Sequence, residues 1–128
     1  IVCHLDIFKK FGRRPVDPFE KKMDAVLSAI RSRNLAVEMN TSGLHHKAEE
    51  FYPSPTLVKK CFEHHIPMTL GSDAHGPGQV GRHFDQALDL LRKTGFCHIS
   101  AFTRRRRYDL PIPTQTPETQ NNLNGGEP

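Results

Sequence analysis

The chain has 128 residues, of which 36% are hydrophobic and 25% charged, a composition typical of a globular domain rather than a disordered chain. No stretch approaches the roughly 20 apolar residues that a membrane-spanning helix needs, so we expect no membrane partner. The formal net charge of +4 is carried by the run Arg104–Arg107, because the other 14 basic residues balance 14 acidic ones. The rest of the chain therefore gives no general reason to expect a polyanionic partner.

The cysteines indicate the cellular compartment of the protein, and the first residues bear on its length. Cys3, Cys61 and Cys97 form no CxxC pair, which argues against a disulfide framework and a zinc finger. A reducing, cytoplasmic compartment is therefore the expectation. The sequence opens on Ile1 inside an apolar run, with no visible signal peptide, and we expect the working protein to be longer than 128 residues.

Short apolar runs predict four strands in chain order. They cover residues 1–5, 35–39, 67–70 and 96–102. Such uniformly apolar strands are typical of parallel sheets that are covered on both sides. Residues 113–128 contain few apolar side chains, which predicts a disordered tail.

Between these runs, apolar residues recur at the spacing of one helix face, which predicts three helices. The first begins with Asp17 as N-cap, Pro18 at the first helical position and Glu20 completing a capping box. The second begins at Ser54-Pro55, and the third ends at Gly95. Because strand–helix units of this kind form right-handed βαβ connections, the sequence predicts an α/β fold with about four parallel strands and three helices.

Polar side chains follow the first three predicted strands. His4 follows the first, Glu38 and Asn40 follow the second, and Asp73 and His75 follow the third. Because the carboxyl ends of parallel strands converge on one face, His4, Asp73 and His75 can form a nitrogen and oxygen cluster suited to Zn²⁺, Mn²⁺ or Fe²⁺. A hydrogen-bonded surface histidine, or a helix N-cap at Asp73, remains open on these residues alone.

Four ordered blocks resemble the PHP (polymerase and histidinol phosphatase) family, in its histidinol-phosphate phosphatase type. The blocks are His4-Leu5-Asp6 with Lys9-Lys10-Phe11-Gly12, Glu38-Met39-Asn40-Thr41-Ser42-Gly43-Leu44, Tyr52-Pro53-Ser54 and Gly71-Ser72-Asp73-Ala74-His75. The resemblance implies that residues 1–112 are the C-terminal half of a distorted (β/α)₇ TIM-like barrel. It also implies two or three divalent metals at the carboxyl ends of the strands.

The resemblance further implies an enzyme of histidine biosynthesis, a hydrolase that converts L-histidinol phosphate to L-histidinol. By motif position, His4, Asp73 and His75 are metal ligands, and Asp73 or His75 also handles a proton. The small phosphorylated substrate would contact Asn40, Lys10 and His45, the last of which stands where the family usually carries an arginine.

The family's His-x-His motif is absent from this sequence. We therefore expect an incomplete site, with little turnover and loose metal binding by these residues alone, and association through open sheet edges. One alternative is another PHP phosphoesterase, acting on a nucleotide or an unidentified phosphate ester. Another is a nucleic-acid-binding module that uses Arg104–Arg107. We expect no nucleic-acid partner, because successive arginines on a strand alternate faces and tryptophan is absent.

Overall fold

The computed structural model describes residues 1–13 and 19–114. Its helices are α1 (Phe19–Ser32), α2 (Pro55–Glu63) and α3 (Phe84–Thr94), and its strands are β1 (Val37–Asn40), β2 (Met68–Gly71), β3 (His98–Thr103) and β4 (Arg106–Pro111). Short 3₁₀ turns cover Ile7–Phe11, Thr41–His45 and Pro77–Gln79. The three predicted helices are therefore confirmed, as are strands close to three of the predicted apolar runs.

Only some of the predicted helix ends lie within the described residues. Pro55 is the first residue of α2, and Gly95 caps α3 with a φ of 117°. Both positions agree with the prediction. Asp17 and Pro18 lie outside the described residues, as do the side chain of Glu20 and the predicted tail beyond residue 114.

The strands form two small sheets rather than one parallel sheet. β1 and β2 run parallel, with Val37 beside Met68 and Asn40 beside Gly71. The first predicted strand is reduced to a single parallel bridge between Val2 and Val37. β3 and β4 pair antiparallel. The prediction of about four parallel strands is therefore wrong.

The run Arg104–Arg107 contains the turn that makes β3 and β4 antiparallel. Arg104 and Arg105 have φ angles of 45° and 64° and separate the paired residues Thr103 and Arg106. Positive φ at both central positions is the arrangement of two-residue hairpin turns, whose twist matches that of the flanking strands. The run therefore reverses the chain and continues into β4.

The core lies between the helices and the two sheets. Its fully buried side chains include Leu27, Val37, Val58, Met68 and Leu91. None of the helices among the described residues is both long enough and apolar enough to cross a membrane. Because this core holds β1 beside β2, the ends of both strands, at Asn40 and Gly71, lie next to each other.

Candidate functional site

The carboxyl ends of β1 and β2 bring a histidine between two carboxylates. Nε2 of His4 lies 3.6 Å from Oδ2 of Asp73, and Nδ1 of the same ring lies 3.7 Å from Oε2 of Glu38. His4 and Asp73 have φ angles of 52° and 49°, in the left-handed region that non-glycine residues rarely adopt. Strain of this kind costs on the order of 1–3 kcal/mol per residue and is concentrated at functional sites.

Asn40 selects the tautomer of His4. Its Oδ1 accepts a hydrogen bond of 2.9 Å from the backbone N–H of Ser42, which turns Nδ2 toward the imidazole. Nδ2 lies 3.1 Å from Nε2 of His4 and donates to it. In the neutral ring, Nδ1 therefore carries the hydrogen and faces Glu38. Nε2 holds the lone pair, as in a metal-binding histidine; here it accepts the hydrogen bond from Asn40 and lies 3.6 Å from Oδ2 of Asp73.

His75 lies on the exposed loop after β2 that also carries Asp73. Its Nδ1 donates a hydrogen bond of 2.7 Å to the backbone carbonyl of Asp73, which leaves Nε2 unprotonated in the neutral ring. Its backbone N–H donates to Oε1 of Gln79 at 2.8 Å. Within the described part of the chain, no hydrogen bond or ion pair joins His75 to His4. The structure thus brings together two of the three predicted ligands.

No three His, Cys, Asp or Glu side chains among residues 1–13 and 19–114 form a cluster that could hold a metal ion. Glu38 and Asp73 approach opposite nitrogens of His4, so the two carboxylates do not converge on one of them. The donor types, imidazole and carboxylate, are nevertheless those that zinc, manganese and iron accept. The assignment of His4, Asp73 and His75 as metal ligands fits this chemistry and stays a prediction.

Gly71 makes room for the carboxylate of Glu38. A Cβ at position 71 would collide with Oε1 of Glu38 and lie 2.8 Å from its Cδ. Glu38 and Asn40 alternate with the buried Val37 and Met39 along β1, so their side chains share one face. The sequence prediction gives Glu38 no role, although the Glu-x-Asn spacing on a short strand is a signal that could have placed it beside His4.

A buried ion network lies in the chain segment that follows His4. Lys9 is only 3% exposed, and its Nζ lies 2.8 Å from Oδ2 of Asp6 and 3.3 Å from Oε1 of Glu50. The same ammonium group donates to the backbone carbonyl of Phe51 at 2.7 Å. These contacts fasten the segment after His4 to the segment before α2, a connection that the sequence prediction missed.

Lys10 and His45, predicted as substrate contacts, lie in different surroundings. Lys10 is half-buried in the first 3₁₀ turn and makes no hydrogen bond or ion pair with the described residues. His45 is exposed, with its Nε2 2.9 Å from Nε2 of His83. Thr41 donates to the backbone carbonyl of Arg82 at 2.6 Å and so joins the loops that carry these two histidines.

The titration of His45 gives a first test of this arrangement. Desolvation, and then the charges of Arg82, His83 and His46, lower the pKa of His45 from its usual value. Because the folded pKa lies below the unfolded one, the stabilising contribution is complete above about pH 6.5 and is lost as the pH falls through the folded pKa.

We expect an NMR titration of the His45 ring to give a pKa below the usual value of a histidine side chain. Arg82→Gln should raise this pKa because it removes a nearby positive charge. Lys59→Gln, which removes a positive charge from α2, is the control and should leave it unchanged. A His45 pKa at or above the usual value would contradict the described packing against His83.

The fold and the site together define a class of protein. The chain is an α/β protein whose imidazole and carboxylate groups meet at the carboxyl ends of parallel strands, where enzymes of this architecture place their active sites. No protein-family model matches the chain, so the particular group comes from individual relatives.

Two curated relatives and one solved structure identify that group. The chain is 41% identical over 94 residues to "Probable histidinol-phosphatase" of Deinococcus radiodurans and 37% identical over 78 residues to "Histidinol-phosphatase" of Saccharomyces cerevisiae. These alignments cover 73% and 57% of this chain, and 35% and 23% of the relatives. A crystal structure from Listeria monocytogenes, described as a candidate histidinol phosphatase, matches with a TM-score of 0.62 and 26% identity.

The resemblance to histidinol phosphatases that the four motif blocks predict is therefore confirmed. The structural match covers 66% of this chain and 34% of the Listeria protein. The chain thus spans about a third or less of the length of the relatives that it matches.

Proposed function

We propose that this chain supplies part of the active site of a phosphate-monoester hydrolase that converts L-histidinol phosphate to L-histidinol, a step of histidine biosynthesis. The observation that carries the proposal is the approach of His4 to Asp73, at 3.6 Å, at the carboxyl ends of two parallel strands. Support comes from the 41% identity over 94 residues to a relative named as a histidinol phosphatase.

We propose that His4, Asp73 and His75 contribute ligands to divalent metal ions, although no three such side chains among the described residues form a complete metal cluster. Bound zinc, manganese or iron would polarise a phosphoryl oxygen and lower the pKa of a bound water. The two histidines are prepared for this role because Nε2 is the unprotonated nitrogen in both neutral rings. Nδ2 of Asn40 also donates a hydrogen bond of 3.3 Å to Oε2 of Glu38. Asn40 can therefore give up its hydrogen bond to His4, which frees the lone pair of His4 for a metal ion.

We assign the movement of a proton to Asp73 or His75. Nδ1–H of His75 is committed to the carbonyl of Asp73, so the lone pair on Nε2 serves either a metal ion or a proton, and a metal-bound His75 leaves the proton to Asp73. Asn40, Lys10 and His45 are the proposed substrate contacts. An imidazole is a weaker partner for a phosphoryl group than the bidentate guanidinium of an arginine.

A hybrid protein tests the activity and the substrate together. The aligned segment of the Deinococcus relative would be replaced by this chain, because the chain spans 35% of that protein. We expect the hybrid to release phosphate from L-histidinol phosphate faster than from a nucleoside monophosphate. Asp73→Asn should lower its turnover by about 100-fold or more if Asp73 serves in metal binding or proton transfer. Preference for the nucleotide would favour another phosphoesterase of the same family.

Metal binding by the 128-residue chain itself is a separate test. Equilibrium dialysis against Zn²⁺ or Mn²⁺, followed by metal analysis, would compare the unaltered chain with His4→Ala and Asp73→Asn. We expect each variant to weaken binding by about tenfold or more, since even residues behind the ligands have effects of this size. His64→Ala, at the end of α2, is the matched control. Equal weakening by His64→Ala and His4→Ala would contradict the assignment.

A further inference from the structure

A cavity of about 330 Å³ lies at the opposite end of the strands from His4 and Asp73. Most of its lining residues precede β1, β2 and β3 or belong to the C-terminal ends of the helices, and the others are His98, the first residue of β3, and Arg107 in β4. The residues that precede strands include Asn34 before β1, Pro67 before β2 and Cys97 before β3. The cavity is therefore separate from the candidate active site, which lies at the carboxyl ends of β1 and β2.

The lining of this cavity carries positive charge from two arginines. It includes two guanidinium groups, from Arg31 and Arg107, and two imidazoles, from His65 and His98. The lining that the structure describes contains no carboxylate. A site with this charge balance favours an anion.

Arg107 is held in a fixed orientation at the cavity. Its two terminal nitrogens donate to Asn34, one to the backbone carbonyl at 3.2 Å and one to Oδ1 at 2.8 Å. A guanidinium carries five N–H donors, so three remain for a ligand. Arg31 forms no ion pair with the described residues and adds a second positive charge.

Basic side chains at helix C-termini often serve the free carbonyl groups there. In this protein, backbone N–H groups already donate hydrogen bonds to several of these carbonyl groups. The carbonyls of Arg31, Phe62 and Leu91 accept hydrogen bonds of 3.0, 2.9 and 3.0 Å from the backbone N–H groups of Asn34, His65 and Phe96. The cationic groups of the cavity are thus available to bind something else.

Two aromatic rings give the cavity an apolar wall. Phe62 and Phe96 pack edge to face, with centroids 5.1 Å apart and ring planes at 73°. Both line the same cavity as the cations, and Phe62 keeps 39% of its surface exposed. A flat apolar group of a ligand can stack here while a negatively charged group reaches Arg107.

We propose that this cavity binds a small organic phosphate that carries an aromatic ring, at a site independent of the candidate active site. The phosphoryl group pairs with Arg107 and Arg31, and the ring packs against Phe96. The dianionic charge of a phosphate matches two guanidinium groups, and the volume suits a small molecule.

Phenylphosphonate is the probe, because its phosphorus–carbon bond is not a phosphate ester and resists hydrolysis. Calorimetry with the 128-residue chain should show binding that is tighter than that of inorganic phosphate. Amide NMR shifts should move at Gly95, Phe96 and His98. Arg107→Gln should weaken binding by about tenfold, the effect of losing one charged hydrogen-bond partner.

Arg104→Gln is the matched control, because it removes the same charge from the exposed turn between β3 and β4. It should leave the affinity for phenylphosphonate unchanged. Phe96→Leu should abolish the preference for phenylphosphonate over phosphate while the chain stays folded by circular dichroism.

Three results would overturn the proposal. The first is an absence of binding at several millimolar phenylphosphonate. The second is equal weakening by Arg107→Gln and Arg104→Gln, which would indicate a general charge effect. The third is loss of binding in His4→Ala, which would place the ligand in the candidate active site.

Discussion

Replacing Lys9 by methionine should lower the free energy of unfolding by about 3–5 kcal/mol, the usual effect of removing one partner from a buried ion pair. The ammonium group of Lys9 is 2.8 Å from Asp6 and 3.3 Å from Glu50. Asp6 is 2% exposed, and its Oδ1 has no hydrogen-bond partner among the described residues. Methionine keeps the length of the side chain but leaves a buried carboxylate without its counter-charge. Urea unfolding followed by circular dichroism would measure the loss.

Lys10→Met is the control for this prediction. Lys10 stands next to Lys9 but makes no ion pair with the described residues, so its replacement should change stability by no more than about 0.5 kcal/mol. Asp6→Asn, added to Lys9→Met, should recover part of the lost stability because it removes the uncompensated charge. Equal losses in the Lys9 and Lys10 variants would show that the buried network contributes little.

The two lysines also show where prediction from the sequence ends. Adjacent residues of the same type cannot be told apart by composition. The sequence prediction names Lys10, and not Lys9, as a contact of the substrate. In a 3₁₀ turn, successive side chains point about 120° apart, so one lysine can face the interior while the next faces outward. Which of them is buried depends on Asp6 and Glu50, and the latter comes from a distant part of the chain.

The helices and the individual strands β1 and β2 could be predicted because their signals are local. Pro55 and Gly95 fix helix ends through their own backbone preferences. The hairpin of β3 and β4 could not be predicted in the same way. Arg104 and Arg105 adopt positive φ although their sequence lacks the Asn-Gly or Asp-Gly pair that usually indicates such a turn.

The candidate site was predictable in outline and not in detail. The order of polar residues after apolar strands is enough to bring His4 and Asp73 to one face of the fold. The orientation of the imidazole is decided by Asn40, whose amide is itself oriented by the backbone N–H of Ser42. Chains of contacts like this one depend on side-chain geometry, which residue spacing does not encode.

The loop that orients Asn40 is also the place where a single methyl group should have the next largest effect. In Gly43→Ala, the new Cβ would collide with the backbone carbonyl of Glu50 and lie 3.1 Å from two ring atoms of Tyr52. Tyr52 is fully buried. Its backbone exchanges hydrogen bonds of 2.7 and 3.0 Å with Asn40, so the facing segment cannot easily retreat. Overpacking of this kind costs about 1–3 kcal/mol.

Gly78→Ala is the matched control for Gly43→Ala, because a Cβ at position 78 would meet nothing within 4 Å. Urea unfolding should show a change of no more than about 0.5 kcal/mol for Gly78→Ala and a clear loss for Gly43→Ala. Amide NMR should also report a shift at Ser42, since displacement of the loop weakens its hydrogen bond to Asn40. If Gly43→Ala is as stable as the control and leaves Ser42 unmoved, the loop does not pack against Tyr52 as described. The tautomer derived for His4 would then lose its support, because it depends on the orientation of the Asn40 amide.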